Sequence, residues 1–296
     1  MDLVALADFN AVARHGGFGR AARATGRPKA TLSRHVADLE KSLNVRLFER
    51  GTRTPKLTEE GRALHEKSVV LLHELDEIAL SLGSGGDHPR GRLRISAPLL
   101  FAEAVMGKLA ADFALAHPEV RLEVTAEDRA VDMVEEGYDL VVRVNPRPEA
   151  DLVGRCFVRD RYIVVASSTV QRPQRDETVP AVLLARDNPT APWAIKEGAA
   201  RQTITPDAIL RLSSLVMVRD AARTGIGAAL LPLSMAIGDL GRGTLVSWGD
   251  AEGREVELWT LYTSRRLLSR KVAAFLDHLA RAFPNGTPDD LATFIP

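Results

Sequence analysis

Between Pro28 and Leu43 the chain presents Lys29, Thr31, Ser33, Arg34 and His35 in close succession. Two cations and two hydroxyls at the start of a helix are groups that hydrogen-bond nucleic-acid phosphates and base edges. Leu32, Val36, Leu39 and Leu43 recur every three or four residues, which marks a buried stripe and leaves the polar set on the opposite face. Arg34 suits either guanine O6 and N7 or a phosphate, Lys29 reaches guanine in the same way, and Thr31 offers its methyl to thymine. Just upstream, Ala21, Ala22 and Ala24 predict a compact first helix, and Gly26 breaks it. Pro28 fits the first turn of the next helix, where a missing N–H costs nothing. Two short helices joined by a glycine-containing turn, the second basic in its first half, have the geometry of helix-turn-helix DNA binding. Residues 1–56 hold 11 Lys or Arg against 5 Asp or Glu, although the whole chain has zero net charge, so segregation is the informative quantity. The candidate DNA-binding set from this stretch is Arg27, Lys29, Thr31, Ser33 and Arg34.

Other chemistries find little support. There is no His-Glu-x-x-His, no paired cysteines, no Gly-x-Ser-x-Gly and no phosphate-binding glycine loop, so neither an enzyme nor a metal or cofactor is expected. Gly225-Ile226-Gly227 precedes an apolar run and reads as a turn. The single cysteine, Cys156, excludes an internal disulfide and fits a cytoplasmic protein. Arg155 and Arg159 favour its thiolate, whereas burial in a strand would oppose it. The chain shows no basic-then-apolar leader and no apolar run of membrane-spanning length.

The elements that position these groups follow in order. Asp2 caps a first helix carrying Leu3, Leu6, Phe9, Val12 and Ala13, which Gly16-Gly17 ends. Leu43 to Pro55 reads as a loop with a small hairpin. Thr58 caps a long helix in which Leu57, Leu64, Leu71 and Ile78 fall seven apart and Leu75 and Leu82 extend the seam, a pattern for pairing with a twin. Residues 57–90 hold 7 acidic against 3 basic residues, so this helix is not a DNA surface. Ser81 to Pro89 is a hinge by composition. Beyond it strands alternate with helices: Leu93–Ser96, Leu99–His117, Val120–Thr125, Val131–Glu136 and Leu140–Val144. The pattern resumes with Tyr162–Ala166, Val182–Ala185, Leu215–Arg223, Ala228–Leu231 and Leu258–Thr263, before a last helix, Ser269–Phe283. This is an α/β grammar with largely parallel strands. The tail from Pro284 is expected to be poorly ordered.

The run from Gly16 through Leu64 resembles the amino-terminal domain of LysR-type bacterial transcriptional regulators. The resemblance is carried by Ala21-Ala22, Gly26, Ser33-Arg34, Leu39-Glu40, Leu47-Phe48-Glu49-Arg50 and Leu57-Thr58-Glu59-Glu60-Gly61. Asp128–Val144, Gly225 to Pro232 and the final Ser264–Leu279 stretch resemble its effector-binding domain, in the subgroup with an Asp-Arg-x-Val-Asp-x-Val-Glu-Glu-Gly pattern. Two departures stand out: Arg27-Pro28-Lys29 replaces the usual Val-Ser-Gln, and positions 17 and 19 are glycine. The lost serine cap weakens the recognition helix by roughly 1 kcal/mol, partly offset by Pro28.

The resemblance implies an N-terminal winged helix-turn-helix (1–57), whose wing adds Arg50 and Arg53 to the DNA-binding set, a dimerisation helix and hinge (58–90), and an effector-binding domain (91–296). That last domain is two α/β lobes joined by crossing strands, similar to periplasmic solute-binding proteins. Lobe 1 spans about 91–161 and 265–284, lobe 2 about 162–264, and 285–296 form a tail. The implied partners are double-stranded promoter DNA, RNA polymerase for an activator, and further copies of the chain, as dimers assembling to tetramers. The effector cleft would draw on Ser96, Pro98, Leu99, Leu100, Arg143, Ser167, Ser214 and Met217. Ala97-Pro98-Leu99-Leu100 is more apolar than a carboxylate clamp requires, which favours an aromatic or weakly acidic molecule, with Arg143 paired either to an acid ligand or to Asp139 or another acid of the lobe. Two further readings compete: a solute-receptor-like protein whose helical head contacts proteins, and a regulator that ignores small molecules.

Overall fold

A computed structural model describes residues 2–49, 55–82, 88–148, 152–174, 177–263 and 268–295, with side chains at 70, 73–74, 76–82 and 134 left aside. Two compact units emerge, one of residues 1–88 with 130–138 and one of 89–129 with 139–296.

In the first unit, α1 (Leu3–Arg14) starts on the Asp2 carboxylate, which accepts the Val4 N–H at 2.8 Å. Gly16 and Gly17 stop it at positive φ. Helix α2 (Phe18–Thr25) ends on left-handed Gly26, and α3 (Lys29–Leu43) begins after Pro28 with no side-chain cap, as the missing serine implies. Leu6, Phe9 and Val12 of α1 close a core with Ala21, Leu32, Val36, Leu39 and Leu47. Phe48 bridges Leu57 in antiparallel fashion and the Glu49 N–H donates to Lys56 O at 2.8 Å, which forms the base of the expected hairpin. Its tip, with Arg50 and Arg53, lies outside the described residues. Thr58 caps α4 (Glu59–Leu82) through the Gly61 N–H, 3.0 Å away. Buried Asn10, Ser68 and His65 join α1 to α4: Asn10 Nδ2 donates to Ser68 Oγ at 3.0 Å, and His65 Nδ1 lies 2.7 Å from Asn10 Oδ1. Burial holds the His65 imidazole below its ordinary value. Short α7 (Met133–Glu136) groups with this unit.

The second unit is one nine-stranded sheet, ordered β2-β1-β3-β9-β4-β8-β5-β7-β6 among the described residues. Strands β1 (Gly91–Ala97), β2 (Val120–Ala126) and β3 (Leu140–Val144) form the first lobe, with β1 parallel to both neighbours. Strands β5 (Thr178–Leu184), β6 (Trp193–Glu197), β7 (Ala200–Leu212) and β8 (Ala228–Pro232) form the second, with β5 parallel to β7 and β8. Two long antiparallel strands, β4 (Leu152–Ala166) and β9 (Val246–Thr263), run through both lobes. Around the first lobe lie a helix built from α5 (Leu99–Phe101), a π-helical turn (Ala102–Met106) and α6 (Gly107–Ala116), and then α10 (Arg270–Ala282). The buried Lys271 ammonium seats α10 on the sheet, 3.1 Å from Asp139 Oδ1 and 2.6 Å from Arg92 O. Helices α8 (Leu215–Arg223) and α9 (Leu233–Arg242) cover the second lobe.

Two expectations about the fold are overturned. The strands are not largely parallel: β3–β9, β4–β9, β4–β8, β6–β7 and β6–β9 pair antiparallel, because the two long crossing strands join the parallel sets of the lobes. The tail after Pro284 is ordered: Pro288–Ala292 form α11, and Leu291 is 5% exposed. Leu291, Phe294 and Ile295 supply apolar anchors that the polar sequence around them hides.

The start of α4 passes so close to the hairpin that a Cβ on Gly61 would sit 2.1 Å from the Leu47 carbonyl oxygen. Backbone, unlike a flexible side chain, cannot swing aside. Gly61→Ala should therefore destabilise the first unit by about 1–3 kcal/mol, measured by chemical denaturation. A change of only a few tenths would show that α4 slides freely at its start.

Candidate nucleic-acid interface and effector cavity

On α3, Leu32, Val36 and Leu39 are buried, while Lys29, Ser33 and Arg34 are exposed and Thr31 half-buried. The first turns of a helix thus present two cations and two hydroxyls on one open side, as groove reading requires. Arg27 behaves differently. Its Nη1 lies 2.6 Å from Oδ1 of Asp8, and Oδ2 of the same carboxylate lies 2.6 Å from Nδ1 of His35. Asp8 is 2% exposed, so a buried carboxylate on α1 holds both the turn before α3 and the middle of α3. Sequence reading missed Asp8. Its signal was an acid beside Phe9 on the apolar stripe of α1, since acids are almost never fully buried unless paired.

Glu40 was also missed. Its Oε1 accepts the Leu47 N–H at 2.7 Å and the Phe48 N–H at 3.3 Å, which anchors the hairpin on the back of α3. Along the long helix, Leu57 and Leu64 pack on the core of their own unit, whereas Leu71 and Leu75 are 54% and 44% exposed. The side chains of Ile78 and Leu82 lie outside the described residues.

In the second unit a cavity of about 260 Å³ lies between the lobes. Pro98, Leu99, Leu100 and Arg143 reach it from the first lobe, and Ser214 and Leu215 from the second. Three expected residues do not line it. Ser96 is fully buried behind the wall, where its Oγ accepts from Arg143 Nη2 at 2.9 Å and donates to Glu127 Oε1 at 3.0 Å. Ser167 lies off the cavity, 3.1 Å from Thr169 Oγ1, and Met217 is turned to the surface. Asp139, the proposed partner of Arg143, pairs with Lys271 and accepts the Arg94 N–H at 2.7 Å.

Both helix starts facing the cavity are already occupied. The Leu99 N–H donates to Asp128 Oδ1 at 3.0 Å, and the Val216 N–H to the Oγ of Ser214 at 3.3 Å. The other Asp128 oxygen takes Arg186 Nη1 at 3.0 Å, an ion pair from lobe to lobe at the cavity wall. Asp160, 7% exposed, accepts the Arg161 N–H at 2.7 Å and the Ser234 N–H at 3.3 Å, and burial pushes its carboxyl upward. Burial likewise raises the Tyr162 phenol. Away from the cavity, burial pushes the Cys156 thiol up against the opposing field of Arg159, so the thiolate that the flanking arginines would favour is disfavoured. Among the described residues no group of His, Cys, Asp and Glu is placed to hold a metal, and no helix is long and apolar enough to cross a membrane.

Residues 3–62 match the profile for bacterial regulatory helix-turn-helix proteins of the lysR family, and residues 86–284 match the LysR substrate binding domain. The chain belongs to the LysR family. This LysR-type chain is therefore a member of a family of DNA-binding transcriptional regulators that carry a ligand-binding domain. It is 28% identical over 289 residues to the HTH-type transcriptional regulator DmlR of Escherichia coli, covering 95% of this chain and 94% of that one. It is 38% identical to the HTH-type transcriptional repressor PA14_22550 of Pseudomonas aeruginosa, over 153 residues that span 52% of this chain and 48% of the relative. Among solved structures, the full-length Vibrio cholerae virulence activator AphB matches with TM-score 0.56 and 25% identity, covering 95% of this chain and 99% of the other.

Asp8→Asn keeps the shape of the buried group and removes its charge, which releases Arg27 toward a bound phosphate backbone. The slope of log K against log salt should then steepen by about 0.9, the increment for one added phosphate contact. Discrimination between DNA from the protein's own upstream region and an unrelated duplex should fall. Fluorescence anisotropy across a salt series measures both, and an unchanged slope would leave Arg27 with no reach to DNA.

Proposed function

We propose that this LysR-type regulator binds promoter DNA as a homo-oligomer through Lys29, Thr31, Ser33 and Arg34, with the hairpin arginines Arg50 and Arg53 approaching the backbone. The observation that carries the DNA half is the exposure of Lys29, Ser33 and Arg34, with Thr31 half-buried among them, opposite the buried stripe of α3. Leu71 and Leu75 supply the open apolar line through which a second α4 pairs, the dimer contact from which tetramers build. For an activator the readout is RNA polymerase recruitment; for a repressor it is exclusion.

The interlobe cavity is the effector site in this reading. Its walls are apolar at Leu99, Leu100, Leu184 and Leu215, and the helix start at which an acid would dock is filled by Asp128. These features favour the aromatic, apolar side of the earlier expectation over the weakly acidic one. Asp128 opens the Asp-Arg-x-Val-Asp pattern, so the subgroup reading and the effector chemistry meet in one residue.

The test is a footprint on the protein's own upstream region with wild type and Lys29→Gln, repeated over paired aromatic amides and acids. A two-part footprint whose preferred bases change in Lys29→Gln, and which shifts with a neutral aromatic compound, is the expected result. Unchanged base preference would make Lys29 a backbone or solvent residue. A response to the acids alone would overturn the ligand class.

A further inference from the structure

The ordered C-terminal segment touches both lobes at the cavity. Beyond α10 the chain turns at Gly286, whose carbonyl accepts the Arg159 N–H of β4 at 2.9 Å. The turn is fastened by Asp290, which accepts the N–H groups of Asn285 and Gly286 at 2.9 and 2.8 Å. From this anchor α11 carries Leu291 into the core of the first lobe. Phe294 stays on that lobe, its ring 5.4 Å from Phe283 and the Lys108 ammonium 5.3 Å from its centroid. Ile295, four residues after Leu291, packs instead on the core of the second lobe, while α11 also lies against α9 of that lobe. Leu291 and Ile295 both line the cavity.

We propose that residues 286–295 are a tethered occupant of the interlobe cleft, which holds the lobes together and which an effector must displace at Ile295. This rests on the cleft being the effector site, and it adds the regulation of that site. The segment has the build of a strap. One end is fixed by a backbone hydrogen bond and a buried leucine, and the other ends in a half-buried isoleucine whose side chain packs on the apolar core of the second lobe. Apolar contact is non-directional, so a small apolar molecule can replace the Ile295 side chain against the second-lobe core without breaking a side-chain hydrogen bond. Removing Ile295 enlarges the cavity and deletes the only apolar side chain of the strap that packs on the second lobe's core among the described residues. The closed state is then the unliganded one, held by the protein's own chain.

The experiment compares the full chain, Ile295→Asp and a chain ending at Asn285, each with spin labels at Leu115→Cys and Ile209→Cys, exposed positions on the two lobes, in a Cys156→Ser background. Electron–electron dipolar spectroscopy should give a longer and broader interlobe distance in both altered chains. A labelled synthetic peptide of residues 286–296 should bind the shortened chain one-to-one, restore the short distance, and fail to bind the full chain. Ile295→Asp leaves Leu291 in place and so remains informative if the shortened chain does not fold. Distances identical in full chain and Ile295→Asp, together with no peptide binding to a folded shortened chain, would overturn the strap. If the lobes do part but the footprint on upstream DNA is unaltered, the strap stands and the effector-site reading fails instead.

Discussion

The antiparallel pairing of β4 with β9 is the constraint on which the second unit depends. It runs from Leu152 opposite Thr263 to Ala166 opposite Val246, so the same two strands belong to both lobes. Irregularities between Cys156 and Val158, between Arg161 and Ile163, and between Val164 and Val165 let the ribbon bend as it crosses. Asp160 and Tyr162 of β4, with Val256 and Leu258 of β9, meet the cavity from this crossing. A slip of one residue in the pairing would turn these side chains to the other face and exchange core for surface in both lobes. The cavity is therefore a property of register before it is a property of any lining residue.

In the DNA-binding unit the decisive constraints are polar groups set into an apolar frame. Asp8 ties Arg27 and His35, Glu40 ties the start of the hairpin, and Gly61 permits α4 to pass against Leu47. None of these residues is an exposed cation of α3, yet each fixes where those cations stand. An unpaired buried carboxylate is strongly disfavoured, so Asp8 acts as a positional lock only while Arg27 and His35 both answer it.

Much of this was legible in the residues. The period of Leu32, Val36 and Leu39, the caps at Asp2 and Thr58, and the left-handed stop at Gly26 all follow from local rules, and local rules decide helices. Strand β3 stands at its expected bounds for the same reason: its run is short, apolar and flanked by breakers. Less legible was whatever depends on distant partners. The polar first half of β4, from Arg155 to Asp160, and the alternating β7 are strands because β9 and β5 lie beside them, not because their composition demands it. The C-terminal segment looked like a tail since Gly286, Pro288 and two aspartates surround only three apolar residues, whose value appears once both lobes are present to receive them. Of the residues expected at an effector cleft, Pro98, Leu99, Leu100, Arg143 and Ser214 do line the interlobe cavity. Ser96, Ser167 and Met217 lie off it, because helix and strand ends converge only approximately.

Control of the DNA-binding state by the volume between the lobes can be tested without knowing the effector. Ala104 borders the cavity and packs only partly on the first-lobe core. Ala104→Trp places an aromatic ring where a ligand would sit. The direct measurement is the footprint of this variant on the protein's own upstream region, with no small molecule added. The expected result is a protected region shifted or shortened relative to wild type, from a protein that melts cooperatively. A footprint identical to wild type from a folded Ala104→Trp protein would contradict it, because the cavity would then be filled without consequence for the DNA.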